Sequence, residues 1–194
     1  MEISTVPVNF VRALLQAAGR RGCETEWLLL QVDISPELLT ENKARIPAAT
    51  YSQLVELIGA ELQDEYCGLV EQPTRPGSFA MICYGCIHCP TLGEFMERSC
   101  KFHSLTTECS RMRIVSDGNK ARYVFTPLAG TIDPPDLLSM SLLAIAHRLA
   151  NWLIGQNIIL DSVSLSFPRP DHAAAYNLLF RAPIHFDRDE CSIS

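Results

Sequence analysis

Apolar residues in the first half of the chain recur at the spacing of amphipathic helices. A first helix is predicted from five such positions and two glycine stop signals: Phe10, Val11, Leu14, Leu15 and Ala18, then Gly19 and Gly22. A short helix over 27–30 follows, and Ser35-Pro36 opens another turn. Pro47 begins a longer helix with one apolar face, formed by Tyr51, Leu54, Val55, Ile58 and Leu62.

Two further helices are predicted at 78–88 and 92–103, with Pro90 between them. Thr91 is placed to cap the second of these helices. Glu94, three residues later, completes a capping box with Thr91. Together these residues predict a defined angle between the two helices.

At Thr106 the hydrophobic period changes from that of helices to that of strands. Alternating residues around a central Gly118 turn predict a β-hairpin over 108–116 and 121–127. The remaining elements are predicted as a long helix from Pro134-Pro135 to about Gly155, a strand through Val163, Leu165 and Phe167, a helix capped by Asp171 that reaches Phe180, and closing strand pieces at 184–186 and 191–193.

The order of these elements predicts an α+β fold. Residues 1–105 form an N-terminal helical part, which packs with a small, mainly antiparallel sheet in β-β-α-β-α-β order over 106–194. The two parts are expected to belong to one domain.

The composition is that of an ordinary globular protein, with 47% hydrophobic and 20% charged residues. The formal net charge is −6. Because a phosphate-binding surface needs basic residues, these 194 residues are not expected to bind nucleic acid themselves.

The N-terminal residues lack the pattern of a secretory signal, and the longest apolar segment, 137–154, contains His147, Arg148 and Asn151. We therefore expect a soluble cytoplasmic protein without a membrane partner. The eight cysteines are expected to be reduced thiols in that compartment.

Three cysteines recur at intervals of three residues. Cys83, Cys86 and Cys89, with His88 between the last two, have spacing compatible with a zinc site or an iron–sulfur cluster. Zinc would need a fourth ligand, for which His88, Cys100 and His103 are candidates. Since buried cysteine also packs as a small hydrophobic residue, small-residue packing is the first interpretation and a metal or redox role is the alternative.

No motif of a known catalytic class is present. The sequence contains no glycine-rich phosphate loop, no nucleophile elbow and no zinc-protease helix. We therefore expect neither an enzyme nor a bound cofactor. The polar stripe of His147, Arg148 and Asn151 on the long apolar helix fits either a ligand contact or a solvated face.

Four segments in order resemble the N-terminal, arabinose-binding-like domain of AraC-type transcriptional regulators. They are Ala44-Arg45-Ile46-Pro47 with Tyr51 and Leu54; Gly68-Leu69 before Pro76-Gly77; Tyr84 through Pro90-Thr91-Leu92-Gly93-Glu94; and Phe167-Pro168-Arg169-Pro170 through Tyr176, Leu179-Phe180 and Ala182-Pro183-Ile184-His185-Phe186. The resemblance covers nearly the whole chain. This sequence departs from the family pattern at Cys83, Cys86, His88 and Cys89, where members of the family usually have small or aliphatic residues and serine.

This resemblance implies the effector-sensing and dimerising part of a regulator whose helix-turn-helix DNA-binding domain lies outside these residues. It implies that DNA is bound only through that domain. A small, largely apolar or amphipathic effector is expected between the helical part and the sheet. Six residues that combine an aromatic ring with a polar tip, or a ring alone, are candidates for its pocket: Tyr84, His88, Phe102, Tyr123, His147 and Trp152. The helix over 136–154 is the candidate surface for a homodimer, with a central buried helix as the alternative.

Overall fold

A computed structural model describes residues 5–128 and 135–194, with no description of the Pro135 side chain. The α-helices of the described residues are α1 (Val8–Arg20), α2 (Thr25–Gln31), α3 (Ala48–Leu62), α4 (Ser78–Cys86), α5 (Leu92–Thr106), α6 (Pro135–Ile154) and α7 (Tyr176–Phe180). The strands are β1 (Thr5–Pro7), β2 (Arg45–Pro47), β3 (Ser110–Asp117), β4 (Lys120–Pro127), β5 (Val163–Ser164), β6 (Ile184–His185) and β7 (Cys191–Ile193). Short 3-10 turns lie at Pro36–Thr40 and Ala173–Ala175.

Within residues 5–128 and 135–194, the strands form two sheets. β1 and β2 make a small antiparallel pair, in which Val6 lies opposite Ile46. The main sheet has the order β3-β4-β7-β5-β6 and is antiparallel except for the β5–β6 pair. The predicted α+β class and mainly antiparallel sheet are therefore confirmed, and the closing pieces predicted at 184–186 and 191–193 are the separate strands β6 and β7.

Local chemistry explains the elements that the sequence predicted well. The Thr91 hydroxyl accepts a hydrogen bond from the Glu94 amide at 3.2 Å, so the predicted cap begins α5. The hairpin pairs Asp117 with Lys120 across a two-residue turn, in which Gly118 takes a φ of +60° that suits glycine. The α4 helix ends at Cys86, two residues before its predicted end.

Other predicted boundaries were wrong or fall outside the described residues. Asp171 does not cap the helix that reaches Phe180. A 3-10 turn, Ala173–Ala175, precedes that helix, and the residue before the turn is His172, which makes no side-chain capping hydrogen bond. The strand predicted to run to Phe167 ends at Ser164, although the Leu165 amide still donates to the His185 carbonyl. The predicted start of the long helix at Pro134 lies outside the described residues.

The core lies where α6 packs on the main sheet. α6 contacts β4 and β7, and Val124 and Phe125 on β4 are both fully buried. Because neighbouring strand residues point to opposite faces, the sheet is covered on both sides at this point. α5 packs on β3, which is the edge strand of the sheet.

An aromatic cluster joins the N-terminal helices to this core. The rings of Phe10 on α1 and Tyr176 on α7 stack with centroids 6.0 Å apart, and the Tyr176 hydroxyl donates to Asp136 on α6 at 3.0 Å. The helical part and the sheet part therefore share one set of buried contacts.

The segment Asp136–Ile154 of α6 is long and apolar enough, by length and mean hydropathy alone, to cross a membrane. Its residues Leu138 and Leu143 are buried in the core against the sheet. A helix in the interior of a folded domain has the same apolar composition, so this helix does not indicate a membrane protein.

Candidate functional site: a cleft between α5 and β3

A cleft with a volume of about 370 Å³ lies where the helical part meets the edge of the sheet. Four of its lining residues share one face of α5 at spacings of three and four residues. The others are consecutive on β3. The lining residues are Glu97, Cys100, Lys101 and Ser104 on α5, and Arg111, Met112, Arg113 and Ile114 on β3. A cavity of this size suits a small ligand.

The rim of the cleft carries charges of both signs. Arg113 is already paired with Glu190. Within the described residues, Glu97, Lys101 and Arg111 form no ion pair. In the part of the chain that the structure describes, the Arg111 side chain donates only a 3.2 Å hydrogen bond, to the Ser110 carbonyl. The cleft therefore offers two cations and one carboxylate that are open to a ligand's own charges.

The inner wall of the cleft is apolar and well packed. Cys100 is buried, and burial together with the nearby Glu97 raises the pKa of its thiol to about 11. Behind Met112, the buried Tyr123 hydroxyl lies 2.6 Å from the methionine sulfur. Burial raises the pKa of Tyr123 far above its ordinary value. Neither Cys100 nor Tyr123 ionises near neutral pH, so this wall stays uncharged.

A buried polar network links α5 to β3 beside the cleft, at the residues preceding Ser104 and Arg111 of its lining. His103 Nε2 on α5 lies 2.8 Å from Ser110 Oγ on β3, and His103 Nδ1 lies 3.5 Å from the Tyr66 hydroxyl. Burial, with a smaller contribution from the Arg111 cation, lowers the pKa of His103 to about 4. The imidazole is therefore neutral at physiological pH, and it bridges the two walls of the cleft.

The six residues predicted as pocket-lining lie at separate places in the fold. Tyr84, His88 and Trp152 are exposed, and Tyr84 and Trp152 are on different helices. Phe102 packs against Gly85, where an added Cβ would come within 2.7 Å of its ring. The remaining two residues are buried: Tyr123 lies on β4, and His147 Nε2 lies 2.9 Å from the Ile158 carbonyl.

None of the six lines the cleft between α5 and β3, although Tyr123 supports Met112 from behind. Their contact with an effector stays a prediction. The sequence reasoning missed the charged residues that do line the cleft. The signal for them was the spacing of Glu97, Lys101 and Ser104 on α5, together with Arg111 and Arg113 on the next strand.

The cysteine run lies at the end of α4. Cys86 is fully buried, and the Cys89 amide donates to the Cys86 carbonyl at 2.9 Å. Burial raises the pKa of the Cys83 and Cys86 thiols, which disfavours the thiolates that a metal requires. Among the residues that the structure describes, no group of three or more His, Cys, Asp or Glu side chains could hold a metal ion. The alternative of a metal or redox sensor is therefore not supported.

The chain belongs to the family of arabinose-binding domains found at the N-terminus of AraC transcription regulators, whose family model matches residues 22–194. This match confirms the family that the sequence motifs indicated.

A relative, the ornithine utilization regulator of Pseudomonas aeruginosa, is 23% identical over 186 residues. The alignment covers 94% of this chain and 54% of the relative, so the chain spans about half the length of that curated relative. The chain is thus a domain of the effector-binding class that is found in AraC regulators.

Proposed function

We propose that this domain senses a small effector of the amino-acid class, which binds in the cleft between α5 and β3. The observation that carries the proposal is that the cleft presents two cations and one carboxylate that form no ion pair within the described residues. Arg111 and Lys101 suit a ligand carboxylate, and Glu97 suits a ligand ammonium group. This revises the apolar or amphipathic effector that the resemblance led us to expect.

The name of the Pseudomonas relative supports the same class of ligand. That protein is described as a regulator of ornithine utilization. Ornithine carries one carboxylate and two ammonium groups at neutral pH, and the cleft offers partners of both kinds. An amino acid also fits a volume of about 370 Å³.

Ligand binding in the cleft would be transmitted through α5 and β3. The two elements are linked by His103 and Ser110, and β3 continues through the hairpin into β4, on which α6 packs. An effector that favours one separation of α5 and β3 therefore biases the position of α6. In the full-length regulator, this shift would change how a helix-turn-helix domain is presented to DNA.

We propose that α6 also forms the homodimer surface. Four apolar residues lie along one side of α6 at intervals of three, four and three, which is the spacing of a helix–helix seam; two are exposed and two are half-buried against the core. These seam residues are Leu142, Ile145, Leu149 and Trp152. Ile145 and Trp152 are the most exposed of the four, while the opposite face of α6 is in the core. On this proposal, one helix would serve both as a core helix and as the dimer surface, the two alternatives that the sequence left open.

Isothermal titration calorimetry tests the effector proposal. The protein is titrated with L-ornithine, L-arginine and L-glutamate, and with putrescine as the matched ligand that lacks the carboxylate. We expect one amino acid to bind and putrescine to bind at least about tenfold more weakly, because a charged hydrogen bond contributes about 1.5–3 kcal/mol.

Arg111→Gln is expected to weaken amino-acid binding. Arg98→Gln, on α5 but outside the cleft, serves as the matched control and is expected to bind as the unaltered protein does. Absence of binding by every amino acid, or equal binding by Arg111→Gln, would overturn the proposal.

A further inference from the structure

A second cleft, separate from the one between α5 and β3, lies among the N-terminal helices. Its volume is about 290 Å³. It is formed by one face of α1, the start of α2 and the 3-10 turn that follows. The lining residues are Arg12, Leu15, Gln16 and Gly19 on α1, Thr25 and Leu29 on α2, and Leu39 on the turn.

The cleft combines one cation with an apolar wall. Leu15 and Leu29 are buried in the core, and Leu39 is half-buried. The missing side chain of Gly19 keeps the cleft open on the α1 side, since a Cβ there would contact the Thr25 methyl group at 3.4 Å. Arg12 contributes the charge.

The Arg12 guanidinium has no anionic partner within the described residues. Both of its hydrogen bonds leave from Nη2, to the side-chain oxygens of Asn9 and Asn42, which are neutral amides. Its Nε is buried and has no hydrogen-bond partner in the described chain. Nη1 forms no hydrogen bond within the described residues, and it is not among the buried unpartnered atoms, so a ligand can reach the guanidinium there. An anion at that position would neutralise a cation whose partners are neutral amides.

We infer that this cleft binds a small monocarboxylate with a short apolar chain. The carboxylate pairs with the Arg12 guanidinium, whose planar set of donors matches carboxylate geometry. The apolar chain lies along Leu15, Leu29 and Leu39, where it removes apolar surface from water. The volume limits the ligand to a small molecule. This site is independent of the proposed amino-acid cleft.

The test uses sodium hexanoate as the probe and nitrogen–proton correlation NMR of the whole 194-residue chain as the readout. The Arg12 Nε–H signal and the amide signals of Leu29 and Leu39 are followed. We expect saturable shifts with hexanoate and none with hexylamine, which has the same apolar chain and the opposite charge.

Variants assign the effect to the cleft. Arg12→Gln is expected to weaken hexanoate binding at least about tenfold through loss of the charged pair. Gly19→Leu keeps the cation but fills the cleft, and it is expected to abolish the shifts. Arg111→Gln, in the other cleft, is expected to leave them unchanged.

Three results would overturn the inference: no saturable shift with hexanoate, shifts that persist unaltered in Arg12→Gln, or shifts confined to the cleft between α5 and β3. If Arg12→Gln does not fold, the Gly19→Leu titration decides in its place, and retained binding there refutes the site. Because the probe and variants differ from those of the amino-acid titrations, either proposal can fail without the other.

Discussion

His103 Nε2 and Ser110 Oγ lie 2.8 Å apart and connect the last turn of α5 to the first residue of β3. Both side chains are buried, so the link is made where water cannot compete for it. The cleft proposed to bind the effector is enclosed by the same helix and strand. This pair therefore holds α5 against β3 beside the cleft, and it makes the stability of that region depend on the charge of one imidazole.

The first prediction concerns the stability of the folded chain at acidic pH. Burial lowers the pKa of His103 from 6.5 to about 4 in the folded chain, whereas the unfolded chain keeps the ordinary value. Between these pH values the unfolded state binds more protons, so the free energy of unfolding falls as the pH is lowered. For His103 alone, the loss reaches up to about 3 kcal/mol by pH 4, at about 1.4 kcal/mol per unit of pKa.

Urea unfolding between pH 7 and pH 4 measures this loss. His103→Gln, which cannot be protonated, is expected to be less stable at pH 7 and to lose less stability on acidification. Equal pH dependence in the two proteins would show that His103 does not have the lowered pKa.

The second prediction concerns a buried carboxylate. Asp64 is fully buried and accepts hydrogen bonds from the backbone amides of Tyr66, Gly68 and Thr74 at 2.8–3.1 Å. Asp64→Ala would leave these amides without a partner, and each unpaired buried group costs about 1–3 kcal/mol. We expect a loss of at least about 3 kcal/mol in the free energy of unfolding, measured by urea titration.

Asp161→Ala is the matched control, because among the described residues the Asp161 side chain forms only an exposed ion pair, with Lys120. That change is expected to have little measurable effect. Equal stability of the two variants would refute the role given to Asp64.

The third prediction concerns the contact between α4 and α5. A Cβ on Gly85 would come within 2.7 Å of the Phe102 ring, so Gly85→Ala must displace that ring. The overpacking costs about 1–3 kcal/mol, partly offset by the helix preference of alanine. We expect a net loss of about 1 kcal/mol, seen as a lower thermal midpoint.

Gly93 provides the comparison within α5, since an added Cβ there meets only the Thr91 hydroxyl, at 4.0 Å. Gly93→Ala is expected to retain or raise the midpoint. A midpoint for Gly85→Ala at or above that of the unaltered chain would contradict the close packing of Phe102.

The fourth prediction concerns assembly. Trp152 is 71% exposed at the end of the α6 seam, and Trp152→Glu would place a charge where two copies are proposed to meet. We expect light scattering to show a dimer for the unaltered chain and a monomer for this variant. Ile159→Glu, at an apolar residue beyond α6 that is still more exposed, should remain dimeric. A monomer in all three proteins, or a dimer in all three, would refute the α6 interface.

Much of the fold could be predicted because local chemistry determines it. Thr91 and Glu94 define the start of α5, and Gly118 defines the hairpin turn, whatever the rest of the chain does. The β1–β2 pair was missed, since its three-residue strands depend on a contact between Val6 and Ile46, which are far apart in sequence.

The candidate site was harder to predict for a related reason. Arg111 and Lys101 look like ordinary solvated charges in sequence, and only the packing of α5 on the edge strand places them around one cavity. Conversely, aromatic residues such as Trp152 and Tyr84 look suited to a pocket, yet tertiary packing leaves both exposed. Side-chain chemistry indicated which residues can bind a ligand, but not which of them lie around the same cavity.

The location of the effector is tested most directly by carbon–proton NMR of methionine methyl groups during titration with the amino acid that calorimetry identifies. Met112 lines the cleft, whereas Met81 is exposed on α4 and Met140 is buried in α6. We expect the Met112 methyl signal to shift and saturate at the calorimetric affinity, with Met81 unchanged, and we expect Arg111→Gln to weaken the response. Saturable binding that leaves Met112 unshifted would contradict an effector site between α5 and β3.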